Sequence, residues 1–252
     1  MRVGLIGAGN MASALARGLG VPVVVSDVVH AKAAALAQET GGEAVASNAE
    51  VAERSDVLVL CHKPAQLEEV AEQVGGRAKV VVSILAAVTT AEVEARYPGV
   101  PVYRFIPNMP AEVGRGVLCY APGTRAAEGP EQEILELFRH AGLVIPLDDE
   151  ALLEPAMALM SCGPAFMALV AESFVDAGVH HGLSRDDAAR MIAETMVGTA
   201  EYLKANDLDT EALRVKVATP GGVTERGLMK LEEGAMRAIC RLAVDTVVEA
   251  TK

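Results

Sequence analysis

The chain is nearly devoid of aromatic side chains: no Trp, four Tyr and four Phe in 252 residues. Its core must therefore be packed from Ala, Val, Leu, Ile and Met, and hydrophobic residues do make up 51% of the sequence. Packing of that kind suits helices and parallel strands buried on both faces. Positive charge is scarce as well, with 22 Lys and Arg against 34 Asp and Glu and a formal net charge of −12. That balance excludes a nucleic-acid partner, because backbone binding needs clustered cations to neutralise phosphates. It also gives an anionic substrate no long-range steering, so such a ligand has to be held by local donors.

Cysteine is sparse and scattered. Cys61, Cys119, Cys162 and Cys240 stand singly, with no CxxC pair and no His at metal-ligand spacing. Neither a disulfide framework nor a metal site is expected, and a reducing cytoplasm is the expected compartment. No signal peptide is expected, since the sequence opens on a strand-like stretch. No apolar run reaches the ~18 residues that a bilayer span requires, so no membrane association is expected. There are no internal repeats or low-complexity segments.

What is present is an alternation of short β-branched runs with Ala- and Glu-rich helical stretches. Val3 to Ile6, Val21 to Ser26, Asp56 to Cys61 and Lys79 to Ile84 read as buried strands. Val100 to Phe105, Gly116 to Ala121 and Leu143 to Pro146 read as further strands, and Glu131 to His140 as a helix. Ser47-Asn48-Ala49-Glu50 and Thr89-Thr90-Ala91-Glu92 have the capping-box pattern of a helix start. Repeated βα units predict a mostly parallel sheet with helices on both faces.

The pattern changes near Asp148-Asp149-Glu150, after which no strand is expected. Phe166, Leu169, Val170 and Phe174 recur at helical spacing, Ser184 opens a further helix with Asp187 three residues on, and Gly221-Gly222 precedes a last helix reaching about Ala250. The expected architecture is α/β: a doubly wound domain over residues 1–148, then an all-helical domain over residues 149–252. The apolar helical faces are too broad for one small bundle, which implies that a partner subunit covers part of them.

The strongest local motif is Gly7-Ala8-Gly9-Asn10-Met11-Ala12, which follows the first strand, opens a helix and lies twenty residues ahead of Asp27. A Gly-rich turn alone says little, but this context is that of a Rossmann-like dinucleotide site. Gly7 permits the turn, Gly9 lets the backbone approach a diphosphate, and Ala12 allows close helix–strand packing. The diphosphate then sits on the free N–H groups of a helix N-terminus. Asp27 suits the adenosine ribose hydroxyls and favours NADH, whereas His30 and Lys32 stand near enough in sequence to attract the extra phosphate of NADPH. Both cofactors stay open.

Several separated blocks resemble pyrroline-5-carboxylate reductases. The family's Ala-Val-Lys-Pro appears as Cys61-His62-Lys63-Pro64, its Ser-Ile-x-Ala-Gly as Ser83-Ile84-Leu85-Ala86-Ala87, and its Arg-x-Met-Pro-Asn as Arg104-Phe105-Ile106-Pro107-Asn108. Gly-Ser-Gly-Pro-Ala-Tyr is matched by Ser161 to Phe166, followed by Asp176-Ala177-Gly178 and Gly182-Leu183. Ser-Pro-Gly-Gly-x-Thr is matched by Thr219-Pro220-Gly221-Gly222-Val223-Thr224. The blocks occur in family order over nearly the whole chain.

The resemblance implies hydride transfer from NADPH or NADH to the C=N bond of 1-pyrroline-5-carboxylate, giving L-proline. It implies that Asn48, His62, Lys63, Pro64 and Ala87 join Gly7 to Ala12 and Asp27 at the cofactor. Thr219, Gly221, Gly222, Val223 and Thr224 then bind the substrate at a subunit interface, within a homodimer formed through the helical domain or a larger homo-oligomer. Paired glycines let successive N–H groups converge on the substrate carboxylate, and Thr224 is placed to orient the ring nitrogen. A plain interhelical turn is the bland reading of the same residues.

Cys162, Ser161 and Ala87 stand where the family has Ser, Gly and Gly, which leaves open a neighbouring imine as substrate. Cys162 is read as packing rather than as a nucleophile, and His180-His181 as a helix end rather than a metal pair. A hydroxy-acid dehydrogenase is disfavoured because Pro164 to Val179 offers no Lys or His acid–base group. A catalytically silent dinucleotide sensor or scaffold is the competing reading of another class.

Overall fold

The computed structural model describes residues 1–250. Eight strands form one sheet: β1 (Val3–Ile6), β2 (Val23–Ser26), β3 (Glu43–Ala44), β4 (Val57–Leu60), β5 (Val81–Ser83), β6 (Val102–Pro107), β7 (Gly116–Pro122) and β8 (Gly142–Pro146). Their order is β3-β2-β1-β4-β5-β6-β7-β8. Every neighbouring pair is parallel except β6 and β7. Only residues 108–115 separate those two strands, too few for a crossover helix, so the chain returns antiparallel. The strand order reverses direction between β1 and β4, which opens a crevice at the carboxyl ends of the strands.

Six helices cover this sheet: α1 (Asn10–Leu19), α2 (His30–Thr40), α3 (Asn48–Arg54), α4 (Leu67–Val74), α5 (Thr90–Arg96) and α6 (Glu131–Arg139). Successive strand residues face opposite layers. Leu5, Val57 and Val59 pack with Leu15, Leu36 and Phe138 from α1, α2 and α6. Ile6, Leu58 and Leu60 pack with Val51, Val70 and Val93 from α3, α4 and α5. Each such aliphatic side chain contributes ~1.5–3 kcal/mol of burial, which is how a core poor in rings is held. Half of the few aromatics are pooled near β6: Phe105 stacks on Tyr120 at 5.0 Å and meets Phe138 at 4.5 Å, while the Tyr103 hydroxyl donates to Ala126 O at 2.7 Å.

The helix starts follow their sequence signals. Thr89 and Glu92 close a complete capping box. Ser47 and Ser184 accept from the backbone N–H groups of Glu50 and Asp187.

The chain separates into two compact units, residues 1–164 and 165–250. The division lies beyond the boundary expected near residue 148, because the intervening segment packs on the first unit. That segment contains α7 (Leu153–Ala156) and a π-helical turn, Met157–Ser161. Leu153 is fully buried with Ile106, Cys119 and Ala121. Asn108 donates to Met160 O at 2.8 Å and accepts from Val117 N–H at 2.8 Å. Arg104, 1% exposed, ion-pairs with Glu150 at 2.7 Å and Glu154 at 3.1 Å. Spacing along the sequence carried no sign of these long-range contacts.

The second unit holds most of α8 (Gly163–His180), then α9 (Arg185–Lys204), α10 (Thr210–Val217), α11 (Val223–Glu233) and α12 (Met236–Ala250). The single last helix expected after Gly222 is two, broken at Gly234 and at Ala235, whose φ is +56°. Val175 and Ala188 are the buried hydrophobic residues of this unit, while Leu169, Phe174, Ile239 and Leu242 are exposed. The helical stretch Glu150–His180, which holds an 18-residue window of mean hydropathy 1.6, is long and apolar enough by length and composition to cross a bilayer. Its uncharged part, between Glu154 and Glu172, stays just short of 18 residues.

Candidate functional site

The crevice beside β1 is a cleft of about 530 Å³. Gly7 ends the strand with φ +105°, and a Cβ there would lie 2.7 Å from Cys61 O, so the turn tolerates only glycine. Gly9 caps α1 in extended conformation, and no side chain caps the helix. A Cβ on Gly9 would meet nothing within 4 Å. The first N–H groups of α1 therefore face open space, as a diphosphate requires. Ala8 and Ala12 are buried behind the turn.

Asp27 follows β2. Its Oδ2 accepts from Ala8 N–H at 2.7 Å and its Oδ1 from Val29 N–H at 2.8 Å. The carboxylate thus ties the glycine turn to the β2–α2 turn, a bracing role that neither a free ribose ligand nor a solvated turn residue had implied. Beside it, the Ser26 hydroxyl donates to Asn48 Oδ1 at 2.6 Å, and the Asn48 amide donates to Gln73 at 2.5 Å.

The opposite wall follows β4. Burial pushes the Cys61 thiol up, which keeps it protonated. His62 Nδ1 lies 2.9 Å from Lys63 O, and a carbonyl can only accept, so Nδ1 carries the proton. Desolvation holds the imidazole below its ordinary pKa, that is, neutral at pH 7. Its Nε2 is buried without a hydrogen-bond partner. This acceptor is an unsatisfied polar group within the wall of the cleft. Lys63 is exposed, and Pro64 opens a short 3-10 turn, Pro64–Gln66.

Gly7, Gly9, Asp27, Asn48, His62, Lys63 and Pro64 therefore line one cleft. Asn10 and Met11 begin α1 directly after Gly9. Ala87 is not part of the cleft wall; it stands exposed after β5 with φ +54°, a left-handed conformation that suits the glycine of the family pattern better than alanine. Val28, Lys32, Glu69 and Gln73 also line the cleft. Sequence reasoning missed Glu69 and Gln73, although their i,i+4 spacing on α4 puts them on one helix face.

In the helical unit, Gly222 caps α11 without a side-chain cap. Gly221, at φ +74°, donates its N–H to Glu225 Oε2 at 2.6 Å. Gly222 N–H closes a turn onto Thr219 O at 2.9 Å. The expectation of two free, converging N–H groups is corrected in part: one is engaged by a carboxylate, the other by the turn. Val223 is exposed. The Thr224 hydroxyl has no partner among the described residues.

The chain is similar over its full length to reductases of one kind. It is 32% identical to the pyrroline-5-carboxylate reductase of Pseudomonas aeruginosa, across 97% of this chain and 93% of the relative. It is 35% identical to that of Mycobacterium tuberculosis, across 100% of this chain and 94% of the relative. The chain belongs to the pyrroline-5-carboxylate reductase family. Residues 150–252 match the family model described as pyrroline-5-carboxylate reductase dimerisation, and residues 2–87 match that described as NADP oxidoreductase, coenzyme F420-dependent. A crystal structure of Plasmodium falciparum pyrroline carboxylate reductase with NADP bound superposes with a TM-score of 0.89 at 26% identity, covering 100% of this chain and 97% of that one. Pyrroline-5-carboxylate reductases are NAD(P)H-dependent oxidoreductases that act on an imine C=N bond, in the last step of proline biosynthesis. The matched dimerisation region supports homo-oligomerisation of this chain.

Proposed function

We propose that this chain reduces 1-pyrroline-5-carboxylate to L-proline in the cytoplasm, with the dinucleotide held in the cleft of residues Gly7 to Ala12. The observation that carries the reading is the uncapped, sterically open turn at Gly9 in a chain that matches the reductases end to end. Bound there, a dihydronicotinamide supplies the hydride. Asn48, His62, Lys63 and Pro64 wall the cofactor.

The substrate carboxylate is taken by Thr219, Gly221, Gly222 and Val223. That Gly221 N–H already holds a carboxylate oxygen of Glu225 supports the loop's affinity for such a group. Thr224, with its hydroxyl unengaged, orients the ring nitrogen. A threonine hydroxyl is too weak an acid to protonate an imine, so the nitrogen takes its proton from solvent, and the residue acts by positioning. The dimer forms through the helical region from residue 149 onward, where the exposed apolar faces lie.

The purified protein is expected to consume NADH or NADPH only when 1-pyrroline-5-carboxylate is added, and to release proline. Cofactor binding without turnover on that imine or on rings of other size would instead make the chain a dinucleotide sensor. Thr224→Ala is expected to lower turnover with cofactor affinity unchanged; unchanged turnover would remove Thr224 from the mechanism.

A further inference from the structure

We infer that the corner formed by Asp27 and Val28 selects against a phosphate on the adenosine 2′-oxygen, so that this chain binds NADH more tightly than NADPH. The inference rests on the cofactor reading above and adds which of the two coenzymes the cleft accepts.

In a sheet of this topology the adenosine ribose lies at the carboxyl end of the second strand, and the side chains there decide between a hydroxyl and a phosphate. Here β2 ends at Ser26, and Asp27, Val28 and Val29 all line the cleft. Asp27 cannot swing aside, because its two oxygens are clamped by N–H groups from two different turns, Ala8 at 2.7 Å and Val29 at 2.8 Å. Each oxygen keeps a further lone pair. A carboxylate so held accepts from ribose hydroxyls and repels a phosphate dianion.

The next side chain gives that phosphate nothing to bind. Val28 is 93% exposed and has no donor. No arginine lines the cleft among the described residues, so the bidentate fork that best holds a phosphate is missing. Two lysines line it. Lys63 follows β4, which lies on the far side of β1 from β2. Lys32 stands on α2, a single ammonium without the planar fork of an arginine. Ser26 and Asn48 are engaged with each other at 2.6 Å. The Plasmodium relative was solved with NADP bound; the preference inferred here comes from this chain's own side chains.

The test is calorimetric binding to the full chain, without substrate, of NADH, NADPH, ADP-ribose and ADP-ribose 2′-phosphate. The forms lacking the phosphate are expected to bind at least about tenfold more tightly than their phosphorylated counterparts. Val28→Arg, a change at a solvent-facing side chain, is expected to tighten NADPH by at least about tenfold while moving NADH by less than about threefold. Asp27→Asn, which keeps an acceptor for a backbone N–H but removes the charge, is expected to narrow the preference; its thermal melt reports whether the turn survives. Equal or tighter binding of NADPH by the unaltered chain would overturn the inference and leave the cofactor reading standing. So would a Val28→Arg variant with an unchanged NADH to NADPH ratio. Binding of none of the four would overturn both.

Discussion

A Cβ on Gly9 would meet no heavy atom within 4 Å, and its φ of −75° suits any residue. Fold and ligand binding can therefore be separated at this one position. Gly9→Ala is expected to leave unfolding free energy within about 0.5 kcal/mol of the parent. Cofactor affinity should fall by about tenfold or more, roughly 1.4 kcal/mol, because the methyl group stands where the diphosphate approaches. Denaturant unfolding and cofactor titration of the same variant check both halves. At Gly7 the two effects cannot be separated, since the added atom would strike Cys61 O at 2.7 Å.

His62 carries a pH signature of its own. Desolvation depresses its pKa in the folded chain, so the unfolded chain takes up a proton first as pH falls through about 6.5. Above that value His62 is neutral in both states and adds no pH dependence. Between about 6.5 and the depressed folded value the unfolded state binds more protons, and stability drops as pH drops. Replacing His62 by Asn is expected to flatten this part of the stability curve. Unfolding midpoints at pH 7.5 and 5.5 should differ less in His62→Asn than in the parent, and an equal difference in both proteins would rule out the buried, neutral imidazole.

Among the elements, β6 and the segment that leads into α7 are coupled by charge as well as by the apolar contact of Leu153 with Ile106. Glu150 Oε1 accepts from Arg104 at 2.7 Å, from Thr90 N–H at 2.6 Å and from the Thr90 hydroxyl at 2.7 Å. Burial opposes its charge, but the hydrogen bonds from Arg104 and Thr90 outweigh it and hold the carboxyl below its ordinary value. The stability it adds is present above the ordinary carboxylate range and is lost as pH falls through its depressed folded value. Glu150→Gln keeps an acceptor but leaves a fully buried guanidinium with less charge to meet it. It is expected to cost about 2 kcal/mol at pH 7, read by urea unfolding, and the gap between variant and parent should close in acid.

Element by element, legibility in the sequence tracked length and apolarity. The β1 span was readable residue for residue, because Val3, Leu5 and Ile6 run straight into a glycine turn. The two-residue β3, Glu43–Ala44, has no periodicity to detect. The Gly234–Ala235 break lies inside a stretch whose composition remains helical throughout, so it appears only in the backbone angles.

For the whole molecule the decisive quantity is apolar surface left uncovered. Within the helical unit only Val175 and Ala188, among the described hydrophobic residues, are buried, far too little to stabilise some eighty residues against their chain entropy. Association through these helices would supply the missing burial, over the large apolar area that obligate dimers use. The melting temperature is therefore expected to rise with protein concentration, with a dimer or larger assembly in light scattering. A monomer with a concentration-independent melt would show that the helices are covered in some other way.

What the sequence determined alone was the alternation of elements, the glycine turn and the order of the family blocks, since each depends on near neighbours along the chain. The clamped Asp27, the orphaned imidazole of His62 and the attachment of residues 149–164 to the first unit were decided by tertiary structure. Each needs a partner many residues away or a burial that only folding creates, and local spacing carries no record of either.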